Sequence, residues 1–275
     1  MPELPEVETV RRTLTQLVKG KTISNVAVHL ARIIWKPDDI QRFEAQLRGQ
    51  TICDIRRYGK YLCFDLDQDV LVSHLRMEGK YGVFSADDPL EKHTHVVFTF
   101  TDGSELRYKD VRQFGTMELV ARGSEFSQTA LNKLGPEPLD PEFKETDWLE
   151  RMGTKKGKIK ALLLNQSFVA GVGNIYADEL LFRAQVHPER TVDQLSYNQR
   201  TSLYHAMRDI LQEAVDQGGS SVKSYVNGQG EMGYFQQRLN VYGREGQTCN
   251  HCNALIHKFV SAGRGTHICP VCQPK

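Results

Sequence analysis

The sequence predicts an α+β protein of several domains: a β-sandwich with one helix at its start, a helical domain, and a C-terminal zinc-binding β-hairpin. Three observations support this fold class. Apolar residues mostly alternate between positions 22 and 120, they recur at helical spacing after position 131, and four cysteines near the end form two Cys-x2-Cys pairs. A chain of 275 residues is long enough for the three expected domains, which span 1–131, 132–235 and 236–275.

The first predicted element is a helix over Pro5–Lys19, because its apolar residues recur at spacings of three and four and Gly20 follows as a stop. Pro2 and Glu3 would precede its N-terminus. Removal of Met1 would expose the secondary amine of Pro2, and an α-amino pKa of roughly 7.7–8.0 leaves such an amine partly unprotonated at neutral pH. It could attack an aldehyde-level carbon and form an iminium ion, with Glu3 as acid or base. A disordered end before an ordinary helix would have the same residues.

Short strands are predicted between this helix and position 120, because apolar residues alternate there and turn residues such as Tyr58-Gly59-Lys60 separate the runs. Short alternating strands are typical of a β-sandwich. Cys53 and Cys63 lie in these runs and are expected to be buried thiols without a redox role. The predicted strands are Thr22–Leu30, Gln50–Arg57, Tyr61–Leu66, Val70–Leu75, His95–Thr101 and Glu105–Lys109.

The chain becomes helical after a rigid connector at Leu134–Pro138. Gly171 and Gly173 precede one of the helices, where exposed N–H groups could bind an anion, although a sharp turn between helices would look the same. Residues 220–235, rich in Ser, Gly and Gln, are expected to form a mobile loop. The helices are predicted at Lys158–Asn165, Asn174–Ala184 and Asn198–Gln217. Four lysines, at 155, 156, 158 and 160, are interpreted either as phosphate contacts or as a solvated face.

The C-terminal cysteines predict one structural Zn²⁺ ion. Two Cys-x2-Cys knuckles supply four thiolates at the spacing of a zinc ribbon, and no coordination position is left open for catalysis. The histidines at 251, 257 and 267 are therefore expected to be surface or strand residues. Arg264 falls in the predicted turn Ser261–Gly265, where it either contacts a phosphate or is a plain solvated arginine. The four ligands are Cys249, Cys252, Cys269 and Cys272.

Charge and hydropathy narrow the class of protein. The net charge is only +1, but residues 236–275 carry +4, which favours contact between this segment and phosphates. No apolar run approaches the length of a membrane span, and no charged-then-apolar leader is visible, so no membrane partner and a cytoplasmic location are expected. The Gly-Lys-Ser/Thr ending of a nucleotide-binding loop is also missing, which argues against a nucleotide cofactor.

Sequence motifs along the whole chain occur in the order of one known family. The chain opens MPELPEVETVRR and continues with YGKYL, HLRMEGKYG, KDVRQFGTMEL, LGPEPL, VAGVGNIYADELLFRA, VYGREGQTCNHC and AGRGTHICPVCQ. It therefore strongly resembles the bacterial formamidopyrimidine-DNA glycosylases over nearly its full length. Leu4 favours this branch over the related endonuclease VIII branch, which usually has glycine at that position.

The resemblance implies a β-sandwich, a helix-two-turn-helix domain and a zinc finger, with double-stranded DNA between the domains. It implies a monomeric, nucleoid-associated enzyme of bacteria that excises oxidised purines, such as 8-oxoguanine and formamidopyrimidines, and then cleaves the strand by β- and δ-elimination. Such an enzyme must extrude the damaged nucleotide, because a base inside a duplex cannot be reached.

The resemblance also assigns roles to individual residues. Pro2 resembles the Schiff-base nucleophile and Glu3 its acid or base partner. Lys60 resembles a lysine that assists elimination, and Arg264 an arginine that holds phosphate and takes part in δ-elimination. The loop at 220–234 resembles the segment that closes over the extruded base. Met77, Arg112 and Phe114 resemble a wedge that fills the vacated space, and the further DNA-contacting positions are His74, His93, Lys155, Asn174 and Tyr242.

Two positions depart from the family pattern. Asn165 stands where aspartate is common and should keep a hydrogen-bonding role, and Glu78 stands where threonine is common, beside the wedge. Two other functions stay open at this stage. One is an endonuclease VIII-like glycosylase for oxidised pyrimidines, and the other is a zinc-finger DNA-binding protein without catalysis.

Overall fold

The computed structural model describes residues 1–220 and 235–275, which belong to two compact units. The first unit contains Met1–Asn132 and Ser220, and the second contains Lys133–Gly219 and 235–275. The predicted loop at 220–234 lies outside the described residues from position 221 onward. Among the described residues, no helix is both long and apolar enough to cross a membrane.

The first unit is mainly β-structure. Its helices are α1 (Leu4–Val18), α2 (Ile40–Leu47) and α3 (Glu125–Gln128), and a 3₁₀ turn lies at Ala31–Ile33. Its strands are β1 (Ile23–Val28), β2 (Ile34–Lys36), β3 (Asp54–Tyr58), β4 (Tyr61–Asp65), β5 (Asp69–His74), β6 (Lys80–Ser85), β7 (Thr94–Phe100), β8 (Ser104–Lys109) and β9 (Thr116–Ala121). A second 3₁₀ turn, Ala130–Lys133, carries the chain into the second unit.

These strands form two sheets that share one apolar core. The four-stranded sheet has the order β1-β7-β8-β6 and the five-stranded sheet the order β2-β9-β5-β4-β3. Every pairing is antiparallel except β2 with β9. Phe98 of the first sheet and Phe64 of the second lie in the same buried cluster as Val10 and Leu14 of α1. The predicted sandwich with one helix at its start is therefore confirmed.

The second unit is helical with a terminal hairpin. Its helices are α4 (Glu145–Gly153), α5 (Ile159–Leu164), α6 (Asn174–Arg183) and α7 (Tyr197–Asp216), with 3₁₀ turns at Val192–Gln194 and Phe235–Arg238. The strands β10 (His257–Ser261) and β11 (Arg264–Ile268) pair antiparallel, with Ser261 opposite Arg264. The three helices predicted from periodicity are present with ends within one residue of the prediction, and the α+β fold class is confirmed.

Several elements of both units escaped sequence reasoning. The strand β9 carries residues that favour helix, such as Met117 and Leu119, yet it lies between β2 and β5 and is almost wholly buried. The strand β6 contains Gly82, which weakens a strand pattern. The helices α2 and α4 are short and bury only two residues each. In all these cases tertiary packing decides the conformation against a weak local signal.

Candidate active site and nucleic-acid interface

The amino terminus is held in place by a buried carboxylate. Pro2 and Glu3 are buried, and α1 begins at the next residue. The Glu3 backbone N–H donates to Glu6 Oε2 over 2.8 Å, and Glu6 Oε1 accepts from the backbone N–H and the hydroxyl of Ser220 at 2.8 and 3.0 Å. Glu6 thus fixes both the start of α1 and Ser220. Sequence reasoning missed this role, although a glutamate three residues after a helix cap is a capping-box signal.

Lys60 lies in the tight turn between β3 and β4 and is only 4% exposed. The turn is tied to α1 through Arg57, whose guanidinium bonds Glu8 Oε2 at 3.2 Å and donates to the Gly59 carbonyl oxygen at 3.1 Å. Burial raises the pKa of Glu8, but the guanidiniums of Arg11 and Arg57 outweigh it, so the net pKa lies below its usual value. Glu8 is therefore a charged link that positions the lysine turn.

His74 is a buried, neutral histidine at the end of β5. Burial, with help from the charges of Arg76 and Lys60, lowers the pKa of His74 to about 3. Its Nδ1 accepts the backbone N–H of Arg76 at 2.9 Å, so the proton of the neutral ring lies on Nε2. Tyr61, directly opposite in β4, packs edge-on against the ring at a centroid distance of 4.4 Å. The imidazole can donate one hydrogen bond without changing its charge near neutral pH.

Two loops of the first unit carry the residues predicted to form a wedge. We call residues 75–79 the first insertion loop and residues 110–115 the second insertion loop. Met77 in the first loop is half-buried, whereas Phe114 in the second is 52% exposed. Arg112 is exposed and its guanidinium lies 5.1 Å from the centre of the Phe114 ring. The second loop therefore presents an aromatic ring and a cation together.

A buried aspartate shapes the second insertion loop. The Asp110 carboxylate accepts the backbone N–H groups of Arg112 at 3.1 Å and of Gly115 at 2.8 Å. Its own backbone is held by neighbouring histidines, because the Asp110 N–H donates to the His93 carbonyl and the Asp110 carbonyl contacts His95 Nε2 at 2.8 Å. His93 itself is half-buried and has a φ of 69°. It is thus attached to the insertion loop through its backbone.

Both insertion loops end in a glycine that packs on one tyrosine. A Cβ added at Gly79 would lie 2.3 Å from the Tyr108 hydroxyl oxygen, and one added at Gly115 would lie 1.6 Å from it. Tyr108 is fully buried. Only glycine allows the two loops to approach this hydroxyl so closely.

In the second unit, α6 begins at Asn174 after the predicted glycine loop. The Gln166 side chain spans this loop, accepting from the Gly171 N–H at 3.0 Å and donating to the Val172 carbonyl at 2.8 Å. Asn174 Nδ2 donates to the Gly265 carbonyl at 2.9 Å. Its buried Oδ1 has no hydrogen-bond partner within residues 1–220 and 235–275. The expected bonding role of Asn165 is observed, since its Oδ1 accepts from Ser167.

One lysine of the predicted basic face is misassigned. Lys155, Lys156 and Lys158 are exposed, but Lys160 is fully buried and its Nζ lies 2.6 Å from Asp178 Oδ1. Lys160 also donates to Thr266 Oγ1 at 2.8 Å and to the Gly265 carbonyl at 3.1 Å. The interpretation of Lys160 as a phosphate contact or solvated residue was wrong, because its partners come from distant parts of the chain.

Two adjacent carboxylates of α6 hold the hairpin that carries Arg264 and the segment at residues 240–242 that precedes it. Asp178 Oδ2 accepts from the His267 backbone N–H at 2.9 Å and lies 3.1 Å from its ring Nδ1. Glu179 accepts three consecutive backbone N–H groups, those of residues 240, 241 and 242. Tyr242, thus fixed, packs edge-on against His267 at a centroid distance of 5.0 Å. Neither carboxylate was recognised from the sequence.

Arg264 is exposed at the start of β11, immediately after the tight turn Ala262-Gly263. Both turn residues have positive φ, 52° and 69°, which matches the type I′ turn that favours a two-residue hairpin. The predicted turn is therefore present, and the arginine that follows it is exposed.

The four cysteines form a site that fits zinc. Their Sγ atoms all lie within 4.8 Å of one another, with 3.9 Å between Cys249 and Cys272 and 3.3 Å between Cys252 and Cys269. Tetrahedral zinc with sulfur at about 2.3 Å needs S–S separations of this size. Asn253, after the second cysteine, has a φ of 62°, a left-handed conformation that asparagine tolerates better than most residues. The ribbon expected from the spacing is confirmed, with one structural Zn²⁺.

Fold and site together define a zinc-ribbon protein in which a β-sandwich precedes a helical unit. Family models match all three parts: the formamidopyrimidine-DNA glycosylase N-terminal domain over residues 1–117, its H2TH domain over residues 134–226, and the zinc finger found in FPG and IleRS over residues 246–275. The chain belongs to the formamidopyrimidine-DNA glycosylase family, so the resemblance seen in its motifs is confirmed.

Individual relatives match over their full lengths. The formamidopyrimidine-DNA glycosylase of Brevibacillus brevis is 60% identical over 273 residues, 99% of each chain, and that of Shouchella clausii is 57% identical over 276 residues, all of each chain. Among solved structures, the complex of Lactococcus lactis Fpg with abasic-site DNA has a TM-score of 0.93 at 42% identity, covering 99% of this chain and 100% of that one. A complex of a variant of the same protein with DNA containing Fapy-dG has a TM-score of 0.94 at 43% identity over both full chains.

Proposed function

We propose that this protein is a DNA glycosylase of base-excision repair that removes oxidised purines from double-stranded DNA and then acts as an abasic-site lyase. Glycosylase activity is supported by the family and by the two relatives above. DNA containing damaged purines or abasic sites as the substrate class is supported by the complexes of Lactococcus lactis Fpg. The lyase activity is our extension, based on the amine that Pro2 can offer.

The proposed reaction uses Pro2 after removal of Met1. Its nitrogen attacks C1′ of the extruded deoxyribose, and the bond between C1′ and the base breaks, with the electron pair and a proton leaving on the base. The amine nitrogen then loses its proton and the C1′–O4′ bond breaks, with O4′ taking up a proton. The sugar ring is thereby opened and an iminium ion joins Pro2 to C1′. Removal of a C2′ proton then expels the 3′ phosphate, and a second elimination expels the 5′ phosphate. Glu3 is assigned the transfer of protons during these steps.

The observation that carries this proposal is that the amino terminus is buried and hydrogen-bonded. Chain ends usually fray, yet Pro2 and Glu3 are buried and the Glu3 backbone is bonded to the Glu6 carboxylate. Because α1 begins at Leu4, the positive end of its dipole lies beside Pro2, which disfavours the protonated amine and so favours a nucleophile.

The remaining site residues are proposed to hold DNA. Lys60 would stabilise departing phosphates and Arg264 would hold a phosphate during δ-elimination, since both are cations on tight turns. Met77 and Phe114 would fill the space left by the extruded nucleotide, and Arg112 would bond the unpaired base. Backbone phosphates are assigned to His74, His93, Lys155, Asn174 and Tyr242. We further propose that the protein acts as a monomer in the cytoplasm, associated with the nucleoid, as its bacterial relatives would allow.

Borohydride trapping tests the chemistry. With duplex DNA containing 8-oxoguanine opposite cytosine, reduction of the iminium should give a covalent adduct whose cross-linked peptide begins at Pro2. Mass spectrometry of the protein alone should show the loss of Met1. A protein with extra residues before Pro2 should give no adduct, and Pro5→Gly with an intact terminus should still give one. Full activity of the extended protein would refute the mechanism.

The same assay separates the other two functions. Comparison of 8-oxoguanine with thymine glycol distinguishes a purine-specific enzyme from an endonuclease VIII-like enzyme, and we expect faster excision of 8-oxoguanine. DNA binding without any adduct or product would instead indicate a zinc-finger DNA-binding protein without catalysis.

A further inference from the structure

We infer that Arg32 and Trp35 are positioning residues that hold the two insertion loops in a fixed arrangement relative to each other. They lie in the segment 31–36, which we call the brace segment. The inference rests on the proposed function, because it assumes that Met77 and Phe114 enter DNA. It goes beyond that function by assigning the arrangement of both wedge residues to a single element outside the two loops.

The first observation is backbone strain at matching positions. Arg76, immediately before Met77, has a φ of 53°, and Gln113, immediately before Phe114, has a φ of 58°. Residues with a Cβ atom adopt this left-handed conformation rarely. Strained residues persist only where the surrounding structure holds them, and they concentrate at functional sites.

The second observation is that both strained side chains contact the brace segment. The Arg32 guanidinium donates a hydrogen bond to Gln113 Oε1. The Arg76 guanidinium lies over the Trp35 ring, 5.9 Å from its centre, which is within the range of a cation–π contact. One short segment therefore reaches both loops, one contact to each.

The third observation is that the brace segment is itself firmly anchored. Ile33 and Ile34 are 0% and 6% exposed in the core of the sandwich, while Arg32 and Trp35 lie on the exposed side. Ile34 pairs with Met117 in β9, the strand that directly follows the second insertion loop. The buried isoleucines thus hold the brace segment in place, and its two exposed side chains, Arg32 and Trp35, contact the insertion loops.

A fixed brace would matter because two wedge residues must enter the duplex together. If each loop moved independently, ordering both on binding would cost conformational entropy, whereas loops held in advance avoid that cost. Loss of the brace should therefore slow excision only from a duplex that has a nucleotide opposite the lesion, since only there must the wedge replace the extruded nucleotide.

The test compares excision of 8-oxoguanine from an intact duplex and from a duplex that lacks the nucleotide opposite the lesion. We expect Arg32→Ala to slow excision from the intact duplex by about three- to tenfold, the size expected for losing one side-chain hydrogen bond. Excision from the gapped duplex should change by less than about twofold. Arg32→Lys, which can still donate to Gln113, should recover most of the rate. Arg122→Ala removes an exposed arginine of the same unit and is the charge-matched control.

A double-mutant cycle distinguishes bracing from direct DNA contact. If Arg32 acts through Gln113, then Gln113→Ala should reproduce its effect and the double variant should be no slower than either single variant. If Arg32 instead contacts a phosphate, the effects will add and the salt dependence of binding will become shallower. That result would overturn the inference.

Trp35 is tested in the same way. Trp35→Leu should slow excision from the intact duplex and spare the gapped duplex, while Tyr197→Leu, at an exposed aromatic residue of the other unit, should affect neither. Equal losses on both substrates, or a lowered melting temperature that accounts for them, would mean a purely structural role. All variants should still form a borohydride adduct with a single-stranded abasic site. Failure of the unaltered protein to form that adduct would refute the proposed function rather than the brace.

Discussion

The second insertion loop of the first unit and the Arg264 hairpin of the second both present an arginine from a tight turn, but different forces hold them. The insertion loop is held by separate hydrogen bonds: the Asp110 carboxylate accepts backbone N–H groups within the loop, and Arg32 donates to Gln113. The hairpin is attached to α5 and α6 by the buried pair of Lys160 and Asp178, and Cys269 of the four-thiolate site directly follows β11. The position of the hairpin therefore depends on a buried ion pair and a metal site.

This difference predicts two kinds of sensitivity. A loop held by separate hydrogen bonds should lose stability in steps of about 1 kcal/mol as single bonds are removed. A hairpin held by a buried ion pair and a metal should instead fail abruptly, because removal of one member leaves a buried charge or thiolate without compensation.

The largest effect is expected at the zinc site. Cys269→Ser should release zinc and disorder the ribbon, because zinc binding contributes about 10–16 kcal/mol to the folding of such modules. The sandwich unit should keep its resistance to proteolysis. Zinc content by native mass spectrometry and limited proteolysis would measure both effects. Cys53→Ser, a matched change outside the site, should keep the metal. A Cys269→Ser protein with bound zinc and a protected ribbon would contradict the assignment.

Breaking the buried ion pair should have the next largest effect. Lys160→Met leaves the Asp178 carboxylate buried without its ammonium partner, so we expect a loss of about 3–5 kcal/mol in urea unfolding of the second unit. Lys158→Met removes an exposed partner of Glu189 and should cost about 1 kcal/mol or less. Equal losses for the two variants would show that burial does not distinguish these lysines.

In the second insertion loop, Gly115→Ala should destabilise the sandwich unit by about 1–3 kcal/mol, because the new methyl group would overlap the Tyr108 hydroxyl. Thermal unfolding followed by circular dichroism would measure the loss. Gly157→Ala, at a position with nothing within 4 Å of the added Cβ, should stay within about 0.5 kcal/mol of the unaltered protein. An unchanged melting temperature for Gly115→Ala would indicate that Tyr108 can move aside.

The smallest predicted effect concerns pH. Burial lowers the pKa of His74 to about 3 in the folded protein. As the pH falls through about 6.5, the imidazole therefore takes up a proton in the unfolded chain but not in the folded chain. Stability from this group is thus present above pH 6.5 and declines as pH falls, by about 1 kcal/mol between pH 6.5 and 5.5. His74→Gln should flatten that part of the curve in urea titrations at several pH values. An unchanged slope would mean that His74 binds its proton equally well in the folded and the unfolded chain.

Much of the site was predictable because its signals are local. The spacing of Cys249 and Cys252 predicted a zinc knuckle, and the residues around Arg264 predicted a hairpin turn. Burial could not be predicted with equal success. Lys160 appeared equivalent to its neighbours in the sequence, since its partner Asp178 lies on another helix. The brace segment was also missed, because β2 has only three residues and no period of its own.

Short spacings along the chain were enough to predict where α1 and α6 begin, which residues turn the chain, and which four cysteines bind metal. Turn geometry, helix starts and metal spacing depend on neighbours along the chain. The tertiary structure alone decided that His74 is neutral, that Lys160 is buried, and that Glu6 holds both the amino terminus and Ser220. Desolvation and charge pairing depend on neighbours in space, and only the packed fold brings those together.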